Sequence, residues 1–279
     1  MDNRPIGVLD SGVGGLTALR TLAESMTNES FIYFGDSGRM PYGDKSPREI
    51  IFMTRQVADF LLSFDVKLIL CACGTISVTA LPVLRRELNV PVLGVVEPAA
   101  FDAARATKNR RVGVIATEAS IAGGAFEKAI RYIDPEIEVI SIACPKFAPM
   151  VESGRFSKED ELVRRTVSDQ LEGFIGSGID TLILGCTHYP LLAPAIDDFF
   201  EGKVTLISSG HAAAKAVVSY LEEKNLRAVP DRKGEETFYT SGDGAAFSGV
   251  ARLFLGRSID NILKHVSPFE APGKNVNIL

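Results

Sequence analysis

Short runs of β-branched and other apolar residues alternate along this chain with longer stretches whose apolar positions recur every three or four residues. The first kind predicts buried strands and the second amphipathic helices, and their regular alternation predicts an α/β fold built on doubly wound parallel sheets. Strands are expected at Ile6–Leu9, Phe31–Phe34, Val66–Ala72, Val92–Val95, Arg111–Ala116, Glu138–Ile142, Asp180–Leu184 and Lys203–Ile207. The clearest helix runs from Pro47 to Phe64. Ser46 is its N-cap, Pro47 fills the first turn and Glu49 completes a capping box, while Ile50, Val57, Leu61 and Phe64 form the apolar stripe.

An internal near-repeat sharpens the architecture. Arg4-Pro5-Ile6-Gly7-Val8-Leu9-Asp10-Ser11 matches Arg110-Arg111-Val112-Gly113-Val114-Ile115-Ala116-Thr117 at an offset of 106, and Ile69–Thr75 matches Leu182–His188 at an offset of 113. Two similar offsets in the same order imply two similar α/β domains facing each other across a cleft. The expected division is residues 1–97 plus 208–279 for a discontinuous first domain and 98–207 for the second. Crossovers are expected as turns at Glu97-Pro98 and Ser208-Ser209-Gly210.

Composition narrows the function. At 279 residues and 46% hydrophobic content the chain can bury a sizeable core. A net charge of −5 argues against a nucleic-acid binder. No apolar run approaches the ~18–20 residues of a membrane span, and the start Met1-Asp2-Asn3-Arg4-Pro5 leads directly into a strand, so a cytoplasmic protein with no membrane partner is expected. The four cysteines, Cys71, Cys73, Cys144 and Cys186, are then free thiols.

Ligands of open parallel sheets bind beyond the carboxyl ends of the strands. Asp10-Ser11, Cys73-Gly74-Thr75, Thr117 and Cys186-Thr187-His188 all fall there. The run Asp10-Ser11-Gly12-Val13-Gly14-Gly15 suits a carboxylate or phosphate, yet it lacks the third glycine of a dinucleotide fingerprint and the lysine of a P-loop. Cys73 and Cys186 each precede an expected helix start, which predicts a lowered thiol pKa. Two such sulfurs, delivered by related halves, can take a proton from a carbon on one side of a small substrate and return one on the other. That chemistry inverts a stereocentre and needs no cofactor. Asp10 and His188 are the expected proton partners of Cys73 and Cys186; Cys71 and Cys144 are expected to pack. Two alternatives stand beside this reading. Cys71-x-Cys73 and Cys186-x-His188 supply four donors for a zinc ion, although structural zinc motifs usually space paired cysteines by two to four residues. A two-domain module that binds a sugar or amino acid shares the fold and cleft without chemistry.

The blocks Ile6–Leu16, Tyr33-Phe34-Gly35-Asp36 through Pro41-Tyr42-Gly43, Cys73-x-Thr75, Glu97-Pro98, Ala143-Cys144-Pro145 through Val151-Glu152, and Gly185-Cys186-Thr187-His188-Tyr189-Pro190 together resemble the glutamate racemase family, within the aspartate/glutamate racemase superfamily. The resemblance implies that Cys73 and Cys186 are the two bases, assisted by Asp10 and His188, with Glu152 near the second pair. It implies a pocket for an amino acid lined by Asp10, Ser11, Tyr42, Gly43, Gly74, Thr75, Thr117, Thr187 and His188. It further implies supply of D-glutamate for peptidoglycan and a homodimer. One position departs from the pattern: the family usually carries Asn between the first cysteine and its threonine, and this chain has Gly74. Aspartate or another amino acid therefore stands as the alternative substrate.

Overall fold

A computed structural model describes residues 1–266, in which ten strands form two parallel sheets. The strands are β1 (Ile6–Asp10), β2 (Phe31–Gly35), β3 (Leu68–Cys71), β4 (Val92–Gly94), β5 (Arg111–Ala116), β6 (Glu138–Ala143), β7 (Thr181–Leu184), β8 (Thr205–Ser208), β9 (Glu236–Thr240) and β10 (Leu263–His265). One sheet has the order β10-β9-β2-β1-β3-β4 and the other β6-β5-β7-β8. Every pairing is parallel. Buried on both faces, the central strands read as unbroken apolar runs, as parallel strands between helical layers do.

The repeat is built into the pairing. In the first sheet Leu9 lies opposite Cys71, and in the second Ile115 lies opposite Leu184. These are equivalent positions under the offsets of 106 and 113. β4-β3-β1-β2 and β8-β7-β5-β6 therefore share one strand order, with β9 and β10 added beside β2 in the first sheet alone. Because β1 and β5 are central, the residues just past them sit beside the residues just past β3 and β7. Two similar sheets thus each bring a cysteine to a carboxyl edge.

Helices follow the expected signals, with boundary shifts that have local causes. The helix Pro47–Leu62 has the complete capping box between Ser46 and Glu49. It stops two residues earlier than expected, and Phe64 beyond it still packs edge-on against Phe60 at 5.2 Å between ring centroids. Glu97-Pro98 and Ser208-Ser209-Gly210 open helices where turns were expected. The helix Val96–Ala106 takes Pro98 into its first turn, where a missing N–H costs no hydrogen bond. Ser208 caps the helix Ser209–Glu223 by accepting from the His211 N–H. β9 and β10 were not expected from sequence: each is short, and β9 gains its place by pairing with β2 two hundred residues earlier and with β10. The helix Ser209–Glu223 packs against both Leu16–Ser25 and Val96–Ala106. No helix among the described residues is long and apolar enough to cross a membrane.

A buried ion pair closes the amino edge of the first sheet. Lys67, just before β3, places its Nζ 2.6 Å from Glu29 Oε2, and both side chains are fully buried. The same ammonium donates to the carbonyls of Asp2 and Leu226 at 2.7 Å each, and Glu29 Oε1 accepts from the Ala228 N–H at 2.8 Å. The cost of desolvating the two charges is met only because every donor position of the ammonium is used. Burial still pulls the Lys67 pKa down, against the raising influence of Glu29. Lys67→Met is expected to strand the Glu29 carboxylate and lower unfolding stability by about 3–5 kcal/mol in chemical denaturation, whereas Lys67→Met with Glu29→Leu recovers most of that loss.

Candidate active site

The carboxyl edges of the two sheets face one narrow cavity of about 70 Å³. All twelve residues expected at the site line it: Asp10, Ser11, Tyr42, Gly43, Cys73, Gly74, Thr75, Thr117, Glu152, Cys186, Thr187 and His188. Gly12, from the run expected to suit a carboxylate or phosphate, lines it too, as do Met40, Pro41, Ser120, Ala148 and Gly185, which were not expected. Pro41 and Gly185 adjoin expected site residues, and Ser120 lies one helical turn past Thr117. Met40 and Ala148 carry no chemical signal that a sequence could display.

Each sulfur arrives two residues beyond a strand. Cys73 follows β3 in extended conformation and precedes the short helix Gly74–Thr79. Its Sγ lies 3.4 Å from Ser11 Oγ, just past the neighbouring β1. Asp10 ends β1 with its carboxylate buried, and Oδ1 accepts the Gly12 N–H at 2.7 Å. On the other side Cys186 Sγ lies 3.6 Å from His188 Nδ1, and His188 Nε2 lies 2.8 Å from Glu152 Oε1. Glu152 ends the helix Phe147–Glu152, and Phe254 from the helix Gly244–Leu255 meets the imidazole edge-on at 5.4 Å. The ring is thereby fixed on three sides.

The two halves touch directly around the cavity. Thr75 Oγ1 and Thr117 Oγ1 are 3.2 Å apart, and Thr117 Oγ1 lies 2.9 Å from Ser120 Oγ. Thr17 Oγ1 donates to the Thr187 carbonyl at 3.2 Å. Gly14 has its functional reason here: a Cβ on it would lie 2.5 Å from both His188 Nδ1 and Thr187 Oγ1. The glycine run thus serves the close approach of His188 more directly than it serves an anion cradle. Tyr42, from a single 3-10 turn Tyr42–Asp44, is buried and donates its hydroxyl to Asp36, which also holds Arg39 and accepts from Ser241 Oγ at 2.5 Å. That network seats the Met40–Gly43 wall.

Electrostatics departs from the expected lowering at the first thiol. Burial, with the neighbouring Asp10 charge, pushes Cys73 up to about 12, and the Ser11 hydroxyl offsets only part of that. The following helix has six residues, too short a dipole to outweigh desolvation. Burial likewise raises Asp10 to about 6, against the pull of His188 and of the Gly12 N–H. Burial opposes the charged form of His188, but its hydrogen bonds to Cys186 and Glu152 prevail and raise it to about 10. Both ring nitrogens then carry protons at neutral pH, one toward sulfur and one toward carboxylate.

Cys71 is fully buried in the core and does not line the cavity, and Cys144 packs beneath Tyr189, which donates to its carbonyl at 2.8 Å. The zinc arrangement therefore has no geometric basis in Cys71. Among the described residues no group of three or more His, Cys, Asp and Glu side chains is placed to hold a metal ion.

The sequence profile of the Asp/Glu/Hydantoin racemase family matches residues 6–217. A glutamate racemase of Lactococcus lactis subsp. cremoris is 44% identical over 255 residues, covering 91% of this chain and 93% of its own. One from Geobacter metallireducens is 40% identical over 259 residues, covering 93% and 95%. The crystal structure of glutamate racemase from Francisella tularensis in complex with D-glutamate superposes with a TM-score of 0.89 at 37% identity, covering 96% of this chain and 99% of that one.

Removing the Glu152 charge takes away one of the two partners that hold the His188 proton. Glu152→Gln is expected to lower the His188 titration midpoint by about one unit or more, read from the imidazole C–H resonances. An unchanged midpoint assigns the raised value to Cys186 alone.

Proposed function

The chain belongs to the Asp/Glu/Hydantoin racemase family and is an amino-acid racemase; from that premise we propose that it interconverts L-glutamate and D-glutamate with Cys73 and Cys186 as paired acid and base. The observation that carries this reading is the presence of both sulfurs in one cavity, each supplied by a different sheet and each with its own polar partner. The glutamate relatives at 40–44% identity, and the D-glutamate bound in the Francisella relative, support the choice of substrate.

In the proposed reaction one thiolate removes the Cα proton and the opposite thiol delivers its own to the other face. One proton is taken and one returned, so the carbon skeleton is neither oxidised nor reduced and no cofactor enters the balance. The alternation requires that each sulfur be able to play either part. A buried thiol held near 12 is a strong base once ionised, and the substrate ammonium, entering beside it, supplies the positive charge that favours ionisation. Asp10, ionised above about 6, faces that ammonium and the Cys73 side. At the second sulfur the doubly protonated His188 donates toward Sγ while Glu152 holds the ring in place. Hydroxyls of Ser11, Thr75, Thr117 and Thr187, with N–H groups near Tyr42, Gly43 and Gly74, are the proposed grips on the two carboxylates. Such donors stabilise the charge that develops as the proton leaves.

On this reading residues 1–97 with 208–266 form one domain and 98–207 the other, residues 267–279 lying outside the described residues; the product serves peptidoglycan synthesis in the cytoplasm, with the protein acting as a homodimer.

Incubation with either glutamate enantiomer in D₂O is expected to place deuterium at Cα, with no cofactor added. Cys73→Ser and Cys186→Ser are each expected to lower racemisation by about a thousandfold. Absence of exchange with both enantiomers refutes the two-base mechanism, and turnover of aspartate in preference to glutamate overturns the substrate. For the wild type, kcat/KM is expected to fall as pH drops below about 6, where Asp10 takes a proton and loses the charge that faces the substrate. An acid limb centred near 4 instead overturns the raised Asp10 value, and one that persists in Asp10→Asn removes Asp10 from that role.

A further inference from the structure

One close approach between the two halves of the cleft involves main chain rather than side chain. A Cβ built on Gly74 would lie 2.5 Å from the carbonyl oxygen of Gly185, and 3.6 Å from Ser120 Oγ. Gly74 opens a right-handed helix and does not have a positive φ. Its backbone conformation therefore admits any residue, and only the lack of space demands glycine. An asparagine, the usual occupant in the resembling family, has no room in this arrangement of the halves.

The position of the contact in the chain gives it meaning. Gly74 directly follows Cys73, and Gly185 directly precedes Cys186. The backbone segments that meet are thus the ones that carry the two sulfurs. A Cβ position 2.5 Å from that oxygen puts the Gly74 Cα within about 4 Å of it, and neither main-chain group can rotate away as a side chain does. Beside it the Thr75–Thr117 hydrogen bond, 3.2 Å between oxygens, draws the Cys73 segment toward the second half at the exit of β5, the strand next to β7. An attraction and a stop placed side by side define a separation.

We propose that the Gly74–Gly185 backbone contact is a positioning device that sets the spacing between Cys73 and Cys186, so that one bound substrate is within reach of both. This rests on the two-cysteine reading above. Proton abstraction needs one sulfur at the correct distance, whereas inversion needs both at once. A displacement of about 1 Å is enough to cost on the order of a hundredfold in rate. Widening the gap therefore separates the two events: exchange at Cα persists at one sulfur, while delivery from the opposite face fails.

The test measures both events in D₂O. For Gly74→Ala, with D-glutamate and with L-glutamate, the racemisation kcat is expected to fall about a hundredfold. KM is expected to change much less, and deuterium is expected to enter with retained configuration, so that the ratio of exchange to inversion rises above that of the wild type. Gly74→Asn is expected to be worse than Gly74→Ala. Gly249→Ala, in the helix Gly244–Leu255, is the control: its added methyl meets nothing within 4 Å, and the ratio should not move. A crystal structure of the wild type with D-glutamate bound provides a second measurement that does not depend on any variant folding, and Gly74 Cα should remain against the Gly185 oxygen. The proposal is overturned if that contact is open in the complex, if Gly74→Ala lowers exchange and inversion equally, or if Gly74→Asn exceeds the wild type. Failure of the wild type itself to exchange the α-proton rejects the two-cysteine mechanism instead.

Discussion

The cleft depends on how two sheet edges meet. Carboxyl ends of parallel strands present carbonyl oxygens and helix starts, and pressing two such ends together buries polar groups that must find partners in the opposing half. Here the partners are threonine hydroxyls and short backbone contacts: Thr75 with Thr117, Thr17 with the Thr187 carbonyl, Gly14 beneath His188 and Gly74 against Gly185. Small residues at these points let main chain approach main chain. The result is a cavity whose walls come from both sheets and whose dimensions are set by covalent backbone, with little left to flexible side chains.

Enclosure also explains the electrostatics of Cys73 and His188. Charge is costly in the cleft, so groups there shift toward neutrality unless a specific partner opposes it. Cys73 has a hydroxyl and a carboxylate nearby and is pushed up. His188 gains a proton against the same desolvation because Cys186 and Glu152 both accept from it. The pseudo-symmetric backbone therefore carries an asymmetric pair of proton partners, a carboxylate on one side and an imidazolium on the other. A symmetric scaffold with symmetric chemistry would treat the two mirror-image ligands alike; this one need not.

Much of this was legible in the chain because the relevant signals are local and periodic. The apolar runs from Ile6, Leu68, Arg111 and Thr181 mark central strands, and the two offsets reappear as equivalent registers, Leu9 with Cys71 and Ile115 with Leu184. Site residues at strand exits could be named for the same reason. What stayed hidden is what depends on distant segments. β9 exists as a strand only through pairing with β2 and β10, and Met40 and Ala148 reach the cavity through packing that no local pattern encodes. The expected lowering of the Cys73 pKa failed because the helix start is visible in sequence whereas the depth of burial is not. Gly74 could be read as a missing amide; that it marks a backbone collision is visible only with Gly185 in view.

The insertion of β9 next to β2 has a consequence for biosynthesis. Strands β5 to β8 are contiguous in the chain, so the smaller sheet has all its members once Ser208 has left the ribosome. The larger sheet does not: its first four strands wait with one edge of β2 unpaired until residues 236–240 emerge and close it. The half that is translated first is thus the half that is finished last, and nascent chains spend the interval with a bare strand edge that only their own carboxyl-terminal portion can cover.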